Sequence, residues 1–356
     1  MPAIFGEDQS IRMVRRRQKS RKKTGSGALF LLALIFILLA AAGAAWLALT
    51  PFGPPDETFV EIAPGSSTAQ IAAQLETAGV IRTQYAFDLL RWVKRGKLKA
   101  GEYRFEGEAT AVEVYARIAR GDVYTKAVTV PEGASIFEIA ARLEQAGFGD
   151  RQDFLAAAVR QVGLIADLDP RAKSLEGFLF PDTYLFPRKA TEAQICAAMV
   201  KRFRAKIEQL GLKENVHQVV TMASLIERET AVDAERPLVA SVFVNRLAKK
   251  MPLMTDPSVI YGLELEGKWR GAIYQSDLKR DTPYNTYLHA GLPPGPVANP
   301  GIKSLRAALD PARTDYLYFV AAGADAQGGS HFAATLDEHN RNVADYRRAV
   351  KQAGAR

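Results

Sequence analysis

The 356-residue chain holds one cysteine, Cys196, and four histidines. A single thiol excludes an intramolecular disulfide framework and a cysteine-cluster metal site, and is expected to be a small buried apolar side chain. The histidines form no His-Glu-x-x-His pair, and only His331 and His339 are near one another, so the sequence implies no metal site. There is no glycine-rich phosphate loop and no dinucleotide fingerprint, so no cofactor is implied. Ser276-Asp-Leu-Lys279 matches the Ser-x-x-Lys pattern of serine-type penicillin-binding enzymes, but Ser-Asp-Asn is missing. Lys-Thr-Gly occurs only as Lys23-Thr24-Gly25, close to the N-terminus.

Charged residues are absent from Ala28 to Leu49, an apolar run of 22 residues, long enough to cross a bilayer as one helix. Eight basic residues precede it (Arg12, Arg15, Arg16, Arg17, Lys19, Arg21, Lys22 and Lys23), whereas Thr50 to Ala69 contain none and carry Asp56, Glu57 and Glu61. This asymmetry predicts a cytoplasmic N-terminus and an extracytoplasmic remainder. Lys23-Thr24-Gly25 then falls on the wrong side of the membrane for a penicillin-binding enzyme. Nucleic acid competes for the basic cluster, but its position against an apolar span favours a topology signal or an anionic-lipid contact. A cleavable signal peptide competes for the span, whose length favours an anchor. Residues 1–27 account for +6 of the formal +8, leaving +2 on the exported part and no polyanion-binding character.

After a proline-rich linker, Pro51 to Asp56, an internal repeat begins. Val60-Glu-Ile-Ala-Pro-Gly-Ser-Ser-Thr-Ala-Gln-Ile-Ala-Ala-Gln-Leu-Glu-Thr-Ala-Gly79 recurs 68 residues later as Val128-Thr-Val-Pro-Glu-Gly-Ala-Ser-Ile-Phe-Glu-Ile-Ala-Ala-Arg-Leu-Glu-Gln-Ala-Gly147. Each copy predicts a short strand, a glycine turn, a serine at a helix start, an amphipathic helix and a glycine stop. These βα modules resemble LysM-like glycan-binding folds; a spacer holding the next domain off the membrane is the alternative. Lys99 to Phe105 alternates as a strand does, and Ala111 to Arg120 has helical periodicity.

From residue 174 the composition changes. Ser174 to Phe186 is dense in aromatics, suited either to stacking on sugars or to a core. Helices are predicted over Thr191 to Leu210, packing beside the helix that carries Glu229, and over Pro237 to Lys250. In the latter, Asn245 lies off the apolar stripe as a candidate polar contact. Tyr316 to Ala321 and His331 to Ala333 predict a hairpin around a glycine-rich turn, and Thr335 to Lys351 a closing helix.

Met222-Ala-Ser-Leu-Ile-Glu-Arg-Glu-Thr230 carries the strongest chemical signal. At about 100° per residue, Val219, Met222, Leu225 and Ile226 share a helix face, and Glu229 projects from its centre. A carboxyl buried without a partner retains its proton toward neutral pH, as a general acid must; pairing with a core arginine is the structural alternative. Glu227 points about 200° away and has a separate role. The loops Leu253 to Gly262, Thr282 to Tyr287 and Gly291 to Pro300 have the hydroxyl, amide and ring composition of an oligosaccharide cleft, although Asp256-Pro257 and Asn299-Pro300 are also ordinary turn starters.

Glu176 to Tyr184, Met222 to Ala231, Glu235-Arg236, Ala240-Ser-Val-Phe-Val-Asn-Arg246, Thr255 to Gly262, Tyr284-Asn-Thr-Tyr287, Gly291-Leu-Pro-Pro-Gly295 and Tyr316 to Val320 together resemble the endolytic murein transglycosylase, or YceG-like, family. The resemblance implies a lytic transglycosylase with Glu229, the second glutamate of Glu-x-Glu-Thr, as its catalytic residue. It implies endolytic cleavage of the β-1,4 bond after N-acetylmuramic acid in murein glycan strands, leaving 1,6-anhydro ends. Glu227, Asn245, Thr255, Asp256, Tyr284, Asn285, Thr286 and Tyr287 become the candidate substrate-binding residues. The basic tail and the stretch Glu264 to Ala272 depart from the family pattern.

The expected architecture is α+β: a basic tail over 1–27, a transmembrane helix over 28–49, a linker over 50–57, LysM-like modules over 58–125 and 126–173, and a mixed α+β catalytic domain over 174–356. The expected partners are glycan strands, the membrane and cell-wall synthases, not nucleic acid. A non-catalytic murein-binding scaffold for those synthases is the competing function.

Overall fold

The computed structural model describes residues 25–323 and 329–353. The basic tail, with Arg12 to Lys23, lies outside the described residues, as does most of the glycine-rich turn expected before His331. The chain divides into two compact units, one ending at Val123 and the other beginning at Tyr124.

The first unit starts with α1 (Gly25–Leu49), long and apolar enough to cross a membrane, with large side chains such as Phe30 and Phe36 exposed. There follow β1 (Thr58–Ile62), α2 (Thr68–Thr77), α3 (Gln84–Lys94), β2 (Gly101–Phe105) and α4 (Ala111–Arg120). β1 and β2 pair antiparallel, with Val60 opposite Tyr103. Ser67 accepts from the Gln70 N–H and the Gln70 side chain accepts from the Ser67 N–H, a reciprocal cap that fixes the start of α2. Leu75, Phe87, Tyr103 and Ile118 form a core from which water is excluded.

The second unit opens on β3 (Thr125–Thr129), α5 (Ile136–Gln145), α6 (Arg151–Arg160) and, after a 3-10 turn, β4 (Thr183–Pro187), which pairs antiparallel with β3. Both copies of the repeat thus have the order strand, helix, helix, strand. Ser135 and Glu138 repeat the reciprocal cap of Ser67 and Gln70. The closing strand β4 comes from the aromatic segment 174–186. Phe178, Leu179, Phe180 and Phe186 of that segment are buried, so these side chains are core and not a sugar-stacking surface. The second copy shares this core with the next helix, α7 (Glu192–Gln209): Ile139, Leu143 and Phe154 cluster with Phe178 and with Met199 and Phe203 of α7.

Beyond α7 come α8 (Val216–Glu229), α9 (Arg236–Ala248), α10 (Asp256–Leu265), the single turn α11 (Gln275–Leu278), α12 (Ile302–Leu309), the antiparallel hairpin β5 (Tyr318–Ala321) and β6 (Ser330–Ala333), and α13 (Leu336–Ala353). α7 packs chiefly on α6, whereas the principal neighbours of α8 are α12 and α9. The sequence expected α7 beside α8; periodicity identifies an apolar face but not the face it meets. The fold is mixed α+β.

Candidate active site

Three helices, two loops and the hairpin converge on Glu229. Residues Val220 to Ile226 are buried on every side of α8, which fixes the helix deep in the second unit. The helix stops because Thr230 turns to extended geometry, φ −139° and ψ 135°, with its hydroxyl accepting from the Val232 N–H and donating to Glu235. Glu229 is therefore the last helical residue, at the C-terminal end of the face that carries Met222, Leu225 and Ile226.

Its side chain opens into a cleft of about 470 Å³, walled by Phe243, Arg246, Met254, Asp256, Tyr287, Tyr318 and His339, among others. Desolvation raises the Glu229 pKa from 4.5 to about 7; the charge of Asp256 adds to the rise and that of Arg246 opposes it. Arg246 is held by its Nε–H to the Leu317 carbonyl at 2.7 Å and by Nη1 to the Leu253 carbonyl at 2.8 Å, and lies over the Tyr318 ring. Asp256 begins α10 and accepts from the Tyr287 hydroxyl at 2.7 Å. Burial, then the bond to Asp256, keeps that phenol protonated far above its ordinary range. His339, on α13, stacks on Tyr318, and burial pushes its imidazole below 6.5, with Arg246 adding to the effect.

Such a site can deliver a proton near neutral pH and take it back. A second acid, a phenol and a fixed guanidinium surround the donor, and Tyr287, Tyr318 and Phe319 supply ring surface. Among the described residues, no group of three His, Cys, Asp or Glu is placed to hold a metal ion.

The model of the YceG-like family matches residues 60–345. The chain belongs to the YceG-like family. Among its relatives, a Bacillus subtilis protein named endolytic murein transglycosylase is 36% identical over 308 residues, which are 81% of this chain and 84% of that protein. A Streptococcus pneumoniae protein of the same name is 29% identical over 323 residues, 81% of this chain and 58% of that one. The crystal structure of a YceG-like protein from Listeria monocytogenes, 34% identical, superposes with a TM-score of 0.53 over 80% of this chain and 99% of the other.

In this YceG-like chain, the residues the sequence singled out separate into three groups. Thr255, Asp256 and Tyr287 line the Glu229 cleft. Thr286 is buried behind them: its Oγ1 accepts from the Thr255 N–H at 2.9 Å and lies 2.9 Å from Ser258 Oγ, pinning one loop to the start of α10. Asn285 is likewise buried and donates to the Leu278 and Arg280 carbonyls. Asn245 donates to the Thr314 and Tyr316 carbonyls. The amide groups of these two residues are committed to loop backbone, because buried carbonyls need donors.

Glu227 is also away from the cleft. Its two oxygens accept from Arg236 Nη1 at 2.8 Å and the Gly301 N–H at 2.9 Å, with 4% of the side chain exposed. Tyr284 faces a different cavity, beside Tyr261, with ring centroids 5.0 Å apart. Sequence reasoning missed Arg246, Tyr318, His339 and Met254. Arg246 and Tyr318 fall within motifs that carry the family resemblance, but no periodicity relates them to Glu229. Met254 has a left-handed backbone, φ 55°, and is half exposed in the cleft, features without a sequence signature.

Proposed function

We propose that this YceG-like protein is a membrane-anchored endolytic murein transglycosylase: a lytic enzyme that cuts the β-1,4 bond after N-acetylmuramic acid within nascent glycan strands, with Glu229 as acid and then base. One observation carries the reading. A lone glutamate with a pKa near 7 faces a cleft walled by aromatic rings and polar groups. The relatives' name supports the reaction class.

Protonated Glu229 gives its proton to the glycosidic oxygen as the bond to the anomeric carbon breaks. The resulting carboxylate then takes the proton of the muramic 6-hydroxyl, whose oxygen closes on the anomeric carbon to give the 1,6-anhydro ring. A hydrolase needs a second carboxylate to activate water, and Asp256, the other carboxylate of the cleft, is engaged by the Tyr287 hydroxyl at 2.7 Å. Here the nucleophile belongs to the substrate, and its high effective molarity lets ring closure outrun water. Asp256, Tyr287 and oriented backbone dipoles are suited to stabilising the oxocarbenium-like charge. Arg246 keeps the carboxylate form of Glu229 accessible between the two steps.

The apolar α1 supports a single-pass anchor, and the basic residues before it support a cytoplasmic N-terminus with the cleft outside the inner membrane. The strand-helix-helix-strand order of both repeat copies supports LysM-like modules that hold glycan, one over 58–125 and one beginning at 126; the second is closed by β4, Thr183–Pro187, and so runs past 173 into the region assigned to catalysis, 174–356. A cell-wall synthase, as source of nascent strands, is the natural neighbour.

The test is mass spectrometry of products from uncrosslinked strands treated with the full-length protein in detergent and with Glu229→Gln. The expected result is 1,6-anhydro-muramic ends from the first and none from the second. Reducing ends would mean hydrolysis, and products from the variant would remove Glu229 from the chemistry.

A further inference from the structure

A second cavity, about 460 Å³, lies at the other end of α10 from the Glu229 cleft. Asp256, at the start of the helix, lines the cleft, whereas Tyr261 and Leu265 line this cavity. The two sites therefore flank one ten-residue helix about 15 Å long.

The inner polar groups of the cavity are already engaged. Glu176 accepts from the Ile136 N–H and from Asn299 Nδ2, each at 2.8 Å, and Asp169 meets His217 Nδ1 at 2.6 Å. Phe137, Tyr261, Tyr284 and prolines 283, 294 and 296 make the rest of the wall largely apolar. The mouth differs in character. Arg171 and Lys173 are exposed there, and among the described residues neither side chain forms an ion pair. Val159 and Leu265 beside them are also about half exposed. A wall with few free polar groups suits a sugar poorly. Two unpaired cations over an apolar hollow suit a short chain that carries small apolar side chains and carboxylates.

We propose that this cavity is a peptide subsite, taking the acidic stem peptide borne by a muramic residue of the strand whose glycan lies in the Glu229 cleft. The inference rests on the murein reading above. Reach agrees with it, because an extended five-residue peptide spans about 17 Å, the length of α10 and little more. Carboxylates of the stem meet Arg171 and Lys173, its methyl groups face Phe137 and Tyr284, and strands whose stems have been removed lose this hold.

The experiment has two arms, both with the full-length protein in detergent. In the first, a synthetic stem pentapeptide ending in D-Ala-D-Ala is titrated by calorimetry into Glu229→Gln and into the same chain with Arg171→Gln and Lys173→Gln. Saturable binding, weakened about tenfold by the two neutralisations, is expected. In the second, kcat/KM is measured on stem-bearing strands and on strands stripped of peptide by an amidase. Arg171→Gln/Lys173→Gln and, separately, Leu265→Glu should lower kcat/KM about tenfold on the first substrate and leave the second unchanged. Equal losses on both substrates, or no peptide binding at millimolar concentration, would overturn the proposal. If the unmodified protein cleaves neither substrate, the murein reading fails while the titration still decides whether the cavity takes the peptide.

Discussion

Glu229→Gln should make the protein more stable at alkaline pH while abolishing cleavage. The amide keeps the carboxyl's shape and has no charge to bury. Folding raises the wild-type pKa from 4.5 to about 7 because desolvation disfavours the carboxylate and Asp256 adds to that. The stability contributed by a group whose pKa rises on folding is fully present below its unfolded pKa, and is lost as pH climbs through the folded value. At about 1.4 kcal/mol per pH unit, full loss amounts to roughly 3 kcal/mol, and water in the open cleft reduces it to about 1–3 kcal/mol. Urea unfolding of both proteins should therefore give nearly equal stabilities near pH 4, with the variant ahead by that amount near pH 9. Other buried acids, Glu176 and Glu264 among them, titrate in both proteins and cancel in the difference. A difference that does not vary with pH, or a wild type more stable near pH 9, would refute the claim that this carboxyl is held protonated by its surroundings.

The same proton governs rate: kcat/KM should fall above about pH 7 as Glu229 ionises, and Asp256→Asn, which removes a charge that raises its pKa, should move that fall to lower pH. A pH–rate profile unmoved by the substitution would contradict the coupling. Glu227→Gln should cost about 1–3 kcal/mol, read by urea midpoint, because it leaves the buried Arg236 guanidinium beside a neutral amide with only the half-exposed Asp233, at 3.2 Å, still paired to it. Below the melting temperature, kcat of that variant should stay within a few-fold of wild type; a loss as complete as that of Glu229→Gln would return Glu227 to the catalytic machinery.

Local signals were legible wherever a short stretch of chain carries its own physics. The serines Ser67 and Ser135 marked the starts of α2 and α5, and the structure adds the other half of each reciprocal cap, Gln70 and Glu138, complete within four residues. Alternation marked β2, and uncharged length marked α1. The partners of those elements were not legible. The closing strand of the second repeat copy came from an aromatic run that composition alone could not tell from a binding surface, since Phe178 and Phe180 would look the same in either place. Polar residues misled for a related reason. Asn245, Asn285 and Thr286 have sugar-binding chemistry, but each is also suited to holding a buried loop, and burial decided for the loop.

The sequence by itself determined an apolar N-terminal helix, a duplicated module and an acid, Glu229, set apart from its neighbour Glu227 by the turn of a helix. Tertiary structure decided what that acid can do. Arg246, Tyr287, Tyr318 and His339 arrive from separate helices, a loop and a hairpin, and Asp256 from the start of another helix. A pKa depends on the water removed and the charges brought near in space. Neither quantity is written in residue spacing, so the cleft and its chemistry exist only once the chain has folded.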